Sequence, residues 1–530
     1  MDFKQFLERS KDFPVPEEVR ALSYGTAGFR ARSGILSSTV FRCGALIALR
    51  AMKLRKVTGI MITASHNPEH DNGVKLVEPE GEMLVPLWEE YATRLARAET
   101  DSLIIELNAI LETECISPCA SCVFIGYDTR SSSTTLALAA RKGAESVGSS
   151  VLDLGLRTTP QLHFAVLAAN SGKDTQEAAY FETLVCGFKA LALSSDQAGK
   201  LVVDCANGVG APKLSMLNDH LSGTGLQIEV RNTGGGELNK GCGSDYVHTS
   251  KLLPEGFSAS GGNLRCASID GDADRLVYFS AADGERSVEL FDGDRIACLV
   301  ALFLTDVLSG LPPGFTLGVV QTAYANGAAR QFLIDQLGIE PVMAKTGVKH
   351  LHAKAQAFDV GIYYESNGHG TVLFSERILE YASLHPEAAA ARDVVALSEV
   401  VNQAVGDAFS GILLVESILR RKSWGLRDWA AMYTDLASRQ LKVKVADRRA
   451  ITTTEDESKC LEPKELQPLI ETEVARLGAR RAFVRPSGTE DIVRVYAESE
   501  KQEDADALAD AVSGLVLDLL GGPPPTAVGS

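Results

Sequence analysis

The sequence predicts an α/β protein of several domains, and three observations carry that prediction. Short apolar, β-branched runs alternate with helical stretches along most of the 530 residues. The length corresponds to roughly three to four domains of about 150 residues. Several strands stop abruptly in polar, glycine-containing loops, which suggests related α/β units although no sequence repeat is visible.

The composition is that of a globular chain, 45% hydrophobic and 23% charged, with material for several cores. Asp plus Glu outnumber Lys plus Arg by 69 to 52, a net charge of −17. That balance argues against nucleic acid or an anionic membrane as partner. Any phosphate must be met by a basic site concentrated inside an acidic molecule. No run of about 18 apolar residues is present, and Met1 to Lys4 lacks the apolar core of a signal peptide. Ten cysteines, scattered through apolar surroundings, read as thiols of a reducing compartment, so the cytosol is expected. Cys115, Cys119 and Cys122 offer three sulfurs without a nearby fourth ligand, a weak zinc signal.

In chain order, residues 1–174 form the first expected domain. Gly25 to Arg30 reads as a tight turn or a phosphate-approaching loop. A helix over Val40 to Lys53 and the strand Gly59 to Ile62 follow, and the strand ends in Thr63-Ala64-Ser65-His66-Asn67-Pro68. The small residues before Ser65 predict a hydroxyl open to a ligand: a nucleophile, a phosphate carrier, or merely a turn residue. Asp71 to Lys75 reads as a turn that places Lys75 behind the serine loop. Leu87 to Ala98 is an expected helix, Val123 to Tyr127 a strand, and Thr134 to Ser146 an alanine-rich helix.

The polar stretch Asn170 to Asp174 marks a boundary, and a helix over Thr175 to Ala192 opens the second domain, residues 175–290. Its strands Leu201 to Asp204 and Cys266 to Asp270 run into Ala206 to Gly210 and Asp270 to Arg275. A third strand, Leu276 to Ser280, follows. Residues 291–438 are the third domain, with a strand Val360 to Tyr364 leading into Glu365 to Gly370 and a helical region from about Asp393 to Ser438. Gln440 to Arg449 reads as a linker or edge strand opening a fourth domain, residues 439–520. There, strands Ala482 to Val484 and Val493 to Ala497 flank the loop Arg485 to Asp491. Gly521 to Ser530, rich in Gly and Pro, reads as a disordered tail.

Four of these loops carry chemistry when weighed together. Asp270, Asp272 and Asp274 supply hard oxygen ligands at a spacing that suits a divalent cation such as magnesium. An EF-hand is excluded, because its glycine position is Arg275 and its twelfth is Ala281. A solvated acidic turn is the plain alternative, opposed by crowding of like charges that a cation would relieve. Arg485-Pro486-Ser487-Gly488-Thr489, with Arg494 beyond, combines guanidinium groups, hydroxyls and glycine amides, an inventory for phosphate. Glu365, Ser366 and Asn367 line up hydrogen-bonding side chains suited to sugar hydroxyls, and equally to a capped turn. His369 reads as structural.

The serine loop, the aspartate loop, the Glu365 to Gly370 loop and the Arg485 to Thr489 loop occur in the order seen in α-D-phosphohexomutases, a resemblance that spans nearly the whole chain. Ala64 to Lys75 (ASHNPEHDNGVK), Ala27 within the early glycine loop, Asn367 to Gly370, and Phe483 to Glu498 (FVRPSGTEDIVRVYAE) resemble the phosphoacetylglucosamine mutase branch in particular. Ser366 departs from it, standing where a small residue such as Ala is expected.

The resemblance implies three related α/β domains and a smaller C-terminal α+β domain around a central cleft. It implies interconversion of N-acetylglucosamine 6-phosphate and 1-phosphate, supplying the precursor of UDP-N-acetylglucosamine. A phosphoserine at Ser65 would carry the phosphoryl group through a sugar 1,6-bisphosphate, with one Mg2+ held by Asp270, Asp272, Asp274 and the phosphoserine. The arginine loop would hold the distal phosphate, and Glu365 and Asn367 would read hydroxyls. Arg30 and Arg275 would add positive potential. Lys75 and His66 are the candidate bases, and a lysine among cations, with its pKa lowered, would favour Lys75. The partner is a small phosphosugar, and a monomer is expected. The competing readings are a mutase for unacetylated hexoses, an inactive phosphosugar-binding homologue, and a metal-dependent phosphatase.

Overall fold

In the computed structural model the described residues are 3–191, 199–258, 265–281, 286–488 and 491–522. The chain divides into two compact units, one of Met1–Gly293 with Asn367–Leu426, the other of Asp294–Ser366 with Arg427–Ser530.

The first unit is built on two sheets. Its first sheet takes β1 Phe29–Arg32, β2 Thr58–Ile62, β3 Asp71–Val77, β4 Cys122–Tyr127 and β5 Ser150–Leu156 in the order β1-β3-β2-β4-β5. Strands β2, β4 and β5 are parallel, while β3 runs antiparallel between β1 and β2. Every residue of β2 is buried, as a strand covered on both faces requires. The second sheet takes β6 Gly199–Asp204, β7 Leu226–Arg231, β8 Arg265–Ile269, β9 Leu276–Ala281 and β10 Val288–Phe291 in the order β10-β9-β8-β6-β7. Its parallel half is β7-β6-β8.

Two helices, Ser37–Leu54 and Ser133–Ser146, pack on the first sheet. The expected helix at 175–192 is observed as Glu177–Leu191, with Ala192 outside the described residues.

Asp71 to Lys75 is not a turn but the start of β3. The backbone there runs too close to its neighbours for any side chain at residue 73, since a Cβ would lie 2.4 Å from Phe29 O and 2.6 Å from Thr63 O. A glycine that looks like a turn signal is therefore a packing requirement inside a sheet.

The second unit begins with β11 Leu317–Thr322, β12 Val342–Ala344 and β13 Val360–Tyr364, all parallel. The chain then returns to the first unit for β14 Gly370–Phe374 and the helices Ala389–Val400 and Ala408–Lys422. The helical region expected over 393–438 is thus interrupted. Gly406 precedes Asp407, whose carboxylate caps the second helix by accepting from the amides of Phe409 and Ser410. In the second unit, Leu426–Ala430 is a short helix and Ala437 already begins β15, Ala437–Lys444. The basic stretch is an edge strand as far as Lys444, paired with β19.

The small ladder β16 Thr452–Thr453 and β17 Cys460–Glu462 precedes β18 Arg481–Pro486 and β19 Ile492–Ser499. The order β15-β19-β18 is antiparallel throughout, backed by helices Leu466–Leu477 and Gln502–Leu520, an α+β arrangement around its own core. Residues 523–530 of the expected tail lie outside the described residues. Among the described residues, no helix is long and apolar enough to cross a membrane.

Candidate functional site

The first unit gathers its chemistry at the C-terminal ends of parallel strands, the usual place for ligands in such sheets. Strand β2 delivers the Ser65 loop and β8 delivers Asp270 to Arg275. The prediction that Ser65 presents an open hydroxyl is corrected: the residue is 0% exposed and its Oγ donates to Asp270 Oδ2 at 2.6 Å. The acidic loop closes over it, and Gly271 makes the approach possible, because a Cβ there would stand 2.7 Å from Ser65 O. Ser65 is held at φ +52°. For a residue with a side chain this left-handed conformation costs on the order of 1 kcal/mol.

Asp270, Asp272 and Asp274 are all buried, with a ligand oxygen from each within 4.8 Å of the others. Asp272 Oδ1 and Asp274 Oδ1 accept no hydrogen bond among the described residues. Buried, unsatisfied, like-charged hard oxygens are a set that a divalent cation completes, so the residues fit a magnesium-type site.

Burial, reinforced by Asp274 and Asp272, pushes the Asp270 carboxyl well above its ordinary pKa. Burial acts on Asp272 and Asp274 too, but nearby cations outweigh it. Lys75 is the chief of these for both, and Asp274 ends well below the usual range. Thr159 Oγ1 also donates to Asp272 Oδ2 at 2.6 Å.

Lys75 projects from β3 onto the aspartate triad, and its electrostatics are the inverse of those expected. Its Nζ is 2.9 Å from Asp272 Oδ2 and 2.8 Å from Asp274 Oδ2. Burial would lower its pKa, yet the two carboxylates hold it above the ordinary value. Lys75 is therefore an ammonium that neutralises the triad. His66 behaves oppositely: burial first, then Arg275 and Arg30, push its pKa far down, and its Nδ1 stands 3.4 Å from Ser65 Oγ. Arg275 lies 3.9 Å from both Asp270 and Asp274, and Arg30 reaches Asn67 Oδ1 at 3.5 Å. His369 Nδ1 is 3.6 Å from Asp274 Oδ1. Asn367 Oδ1 accepts from the His369 amide, turning its own loop.

Several of the contacts that hold the serine loop were not singled out from sequence. Arg130 Nη1 donates to Pro68 O (2.5 Å) and Asp71 O (2.9 Å), and Nη2 to Ser65 O (3.0 Å) and Asn67 O (2.9 Å). Asp128 fixes that guanidinium through Nε at 3.0 Å and accepts the hydroxyls of Thr63 and Ser133. Asn239 Nδ2 donates to Ser65 O and Asn67 O as well, at 2.9 and 3.0 Å. Hydrogen bonds from a charged donor are worth about 1.5–3 kcal/mol each, so this grip outweighs the strain at Ser65. Asp128 and Arg130 follow β4 as Asp270 follows β8, so charged residues directly after a buried strand were the available signal.

The second unit carries the arginine loop and, of the Glu365 to Gly370 loop, Glu365 and Ser366. Glu365 Oε1 accepts from Gly347 N at 2.9 Å. The unexpected Ser366 directs its hydroxyl to Asp294 Oδ2 (2.9 Å) and Tyr324 O (3.3 Å), so the departure is absorbed within the fold. Arg485 pairs with Glu457 at 2.8 Å, and Glu457 is itself fixed by the Thr346 amide and hydroxyl.

Strand register adds what the sequence hid. Arg485 stands opposite Arg494, and Arg494 opposite Lys442, so three cations share one face of the sheet. Like charges in adjacent strands oppose folding, which makes the rung a natural anion seat. Pro486 ends β18, and Ser487 N donates to Ile492 O at 2.8 Å, leaving Gly488 exposed at the tip. Thr489 lies outside the described residues.

Cys115, Cys119 and Cys122 are free thiols, and the aspartate triad is the metal-ligand cluster found among the described residues.

A strand-end serine bonded to a buried aspartate triad, on this succession of sheets, defines an α-D-phosphohexomutase. Models described as phosphoglucomutase/phosphomannomutase domain I and C-terminal domain match residues 45–102, 100–174 and 441–515. Those described as phosphoacetylglucosamine mutase AMG1 domains II and III match 175–277 and 292–424. The phosphoacetylglucosamine mutase of Arabidopsis thaliana is 47% identical, over 97% of this chain and 98% of its own. The N-acetylphosphoglucosamine mutase of Aspergillus fumigatus, solved with GlcNAc-6P and magnesium, superposes with a TM-score of 0.91 at 40% identity, covering 97% of this chain and 99% of that one. A structure of a serine-to-alanine variant of the same fungal enzyme with glucose 1,6-bisphosphate gives 0.92 at 40% identity, covering 98% and 99%. The chain belongs to the phosphoacetylglucosamine mutase family.

Proposed function

We propose that this chain interconverts N-acetylglucosamine 6-phosphate and N-acetylglucosamine 1-phosphate, the latter being the precursor of UDP-N-acetylglucosamine, with Ser65 as phosphoryl carrier. The observation that carries the residue assignment is the buried contact between Ser65 Oγ and Asp270 beside two further aspartates. The substrate class rests on family membership and on the fungal relative whose structure holds GlcNAc-6P and magnesium. Magnesium, held by Asp270, Asp272, Asp274 and the phosphorylated Ser65, would neutralise the charge of the moving phosphoryl group.

The Oγ–P bond of phosphorylated Ser65 breaks as a sugar O–P bond forms, giving the 1,6-bisphosphate. The proton of the attacking hydroxyl ends on Ser65 Oγ, which the broken Oγ–P bond leaves free to take it, and His66 Nδ1 stands 3.4 Å from that oxygen. The second half-reaction runs the same steps in reverse on the sugar's other phosphate. Lys75 and Arg275 balance the carboxylates, and Arg30 adds positive potential beside the serine loop. Arg485, Ser487, Gly488, Thr489 and Arg494 bind phosphate, and Glu365 and Asn367 bind sugar hydroxyls. The four sheet-centred segments at 1–174, 175–290, 291–438 and 439–520 are the four domains. The acidic charge argues for a protein free of nucleic acid, and the free thiols of Cys115, Cys119 and Cys122 suit the cytosol.

The test is turnover of GlcNAc-6-phosphate, with intact mass before and after glucose 1,6-bisphosphate. The parent should gain one phosphoryl group and turn over. Ser65→Ala should remain folded, gain none, and lose on the order of a thousandfold or more in kcat. Normal turnover by Ser65→Ala sinks the carrier reading, and faster turnover of glucose 6-phosphate would reassign the substrate.

A further inference from the structure

The left-handed Ser65 does not hold itself, and the groups that hold it belong to different parts of the first unit. Arg130 sits beyond the end of β4, and Asn239 lies in the loop after β7, anchored by its own amide to Ala206 O. Both end on the same two acceptors, Ser65 O and Asn67 O. These carbonyls fix the Ser65–His66 peptide plane and the Asn67–Pro68 plane, the two ends of the His66-Asn67 step. Together with φ at Ser65 they decide where Cβ, and hence Oγ, points. A serine relaxed into the ordinary right-handed or extended region would carry Oγ away from Asp270.

We propose that Arg130 and Asn239 are positioning residues for phosphoryl transfer, a two-sided clamp that keeps Ser65 in its left-handed conformation with Oγ at the aspartate triad. The proposal rests on the reading of Ser65 as phosphoryl carrier. Neither residue touches the reacting atoms. Each acts through the backbone of the serine loop, and Asp128 acts one step further back by fixing the guanidinium.

A cavity of about 430 Å³ adds a means of testing this, because Arg130 lines it with Glu69, Asn207, Gly208 and Leu238. Guanidinium ion entering from that side can replace the lost side chain of Arg130→Ala.

The experiment uses the full chain with magnesium and compares the parent with Asn239→Ala, Arg130→Lys and Arg130→Ala. Three quantities are read: the rate at which glucose 1,6-bisphosphate phosphorylates Ser65, kcat and KM for GlcNAc-6-phosphate, and the melting temperature. Misplacing a reacting group by about 1 Å costs about 100-fold, so Ser65 phosphorylation and kcat should both fall by that order while KM stays within about twofold. Added guanidinium ion should restore Arg130→Ala by about tenfold or more and leave Asn239→Ala unchanged. Should Arg130→Ala fail to fold, Asn239→Ala and Arg130→Lys carry the same comparison of kcat with KM.

Phosphorylation of Asn239→Ala and Arg130→Lys at the parental rate overturns the clamp and leaves the carrier reading standing. A loss that follows melting temperature and KM, without guanidinium rescue, overturns it also, as a merely structural effect. A parent that accepts no phosphate overturns the carrier reading, and the clamp falls with it.

Discussion

The aspartate loop of the first unit and the arginine loop of the second make opposite electrostatic choices. The three aspartates are buried and heavily countered: Lys75 bridges two of them, Arg275 stands near, and Thr159 and Ser65 donate hydrogen bonds. The cations of the second unit are stacked in one rung, Lys442, Arg494 and Arg485, half-buried or exposed. The difference follows from dielectric. Buried carboxylates repel strongly and need partners before any ligand arrives, whereas cations nearer water are screened, so that Arg485, itself paired with Glu457, can stand beside Arg494 and Lys442.

The sharpest way to break this contrast is to remove a triad carboxylate. Asp272→Asn should weaken magnesium binding, read by calorimetric titration, by more than the roughly 10–100-fold that loss of an outer-shell partner costs. In EDTA, Asp270→Asn should melt at a higher temperature than the parent, since it removes the carboxyl that burial and its neighbours disfavour most. A lower melting temperature would mean that the buried charges are not in conflict.

A smaller effect is expected in the second unit. Arg485→Ala should raise KM for the phosphosugar about 10–100-fold, the worth of a charge-assisted contact, while Ser65 phosphorylation by the bisphosphate continues. Glu457→Gln should raise it less, because Glu457 only orients the guanidinium.

The last effect concerns pH and is read on stability rather than on binding. His163 is 2% exposed, its Nδ1–H donates to Gly81 O at 2.6 Å, and burial lowers its pKa from 6.5 to about 4. The unfolded chain takes up this proton near pH 6.5 and the folded chain only near pH 4. The resulting stability is complete above pH 6.5 and is lost as the pH falls towards 4, by on the order of 3 kcal/mol. His163→Asn keeps a donor for Gly81 and should flatten that part of the pH–stability profile. An unchanged profile would locate the proton uptake elsewhere.

The comparison also explains what was legible in the sequence. Ser65, the aspartates and Arg485 follow apolar runs that end abruptly, so their strand-end placement could be read locally. What Lys75 does depends on carboxylates 197 and 199 residues away, and without them its expected environment was assigned the wrong sign. Lys442 could not be found at all, because its significance lies in strand register. The Asp71-Asn72-Gly73 stretch misled for a related reason: turn chemistry and close strand packing both select glycine. Ser366, which stands where a small residue is expected, finds its partner in Asp294, 72 residues earlier in the chain.

The chain order of the two units has a consequence for synthesis. A ribosome that has released residues 1–293 has completed neither unit, because the first still lacks Asn367–Leu426. Tyr180 then has no Asp407 to receive its hydroxyl, and the amide of Leu276, next to the metal loop, has no Gly368 carbonyl. The first unit is therefore finished only after β11 to β13 of the second have been made. A cut at the border after Gly293 would yield an incomplete fold rather than a separable domain.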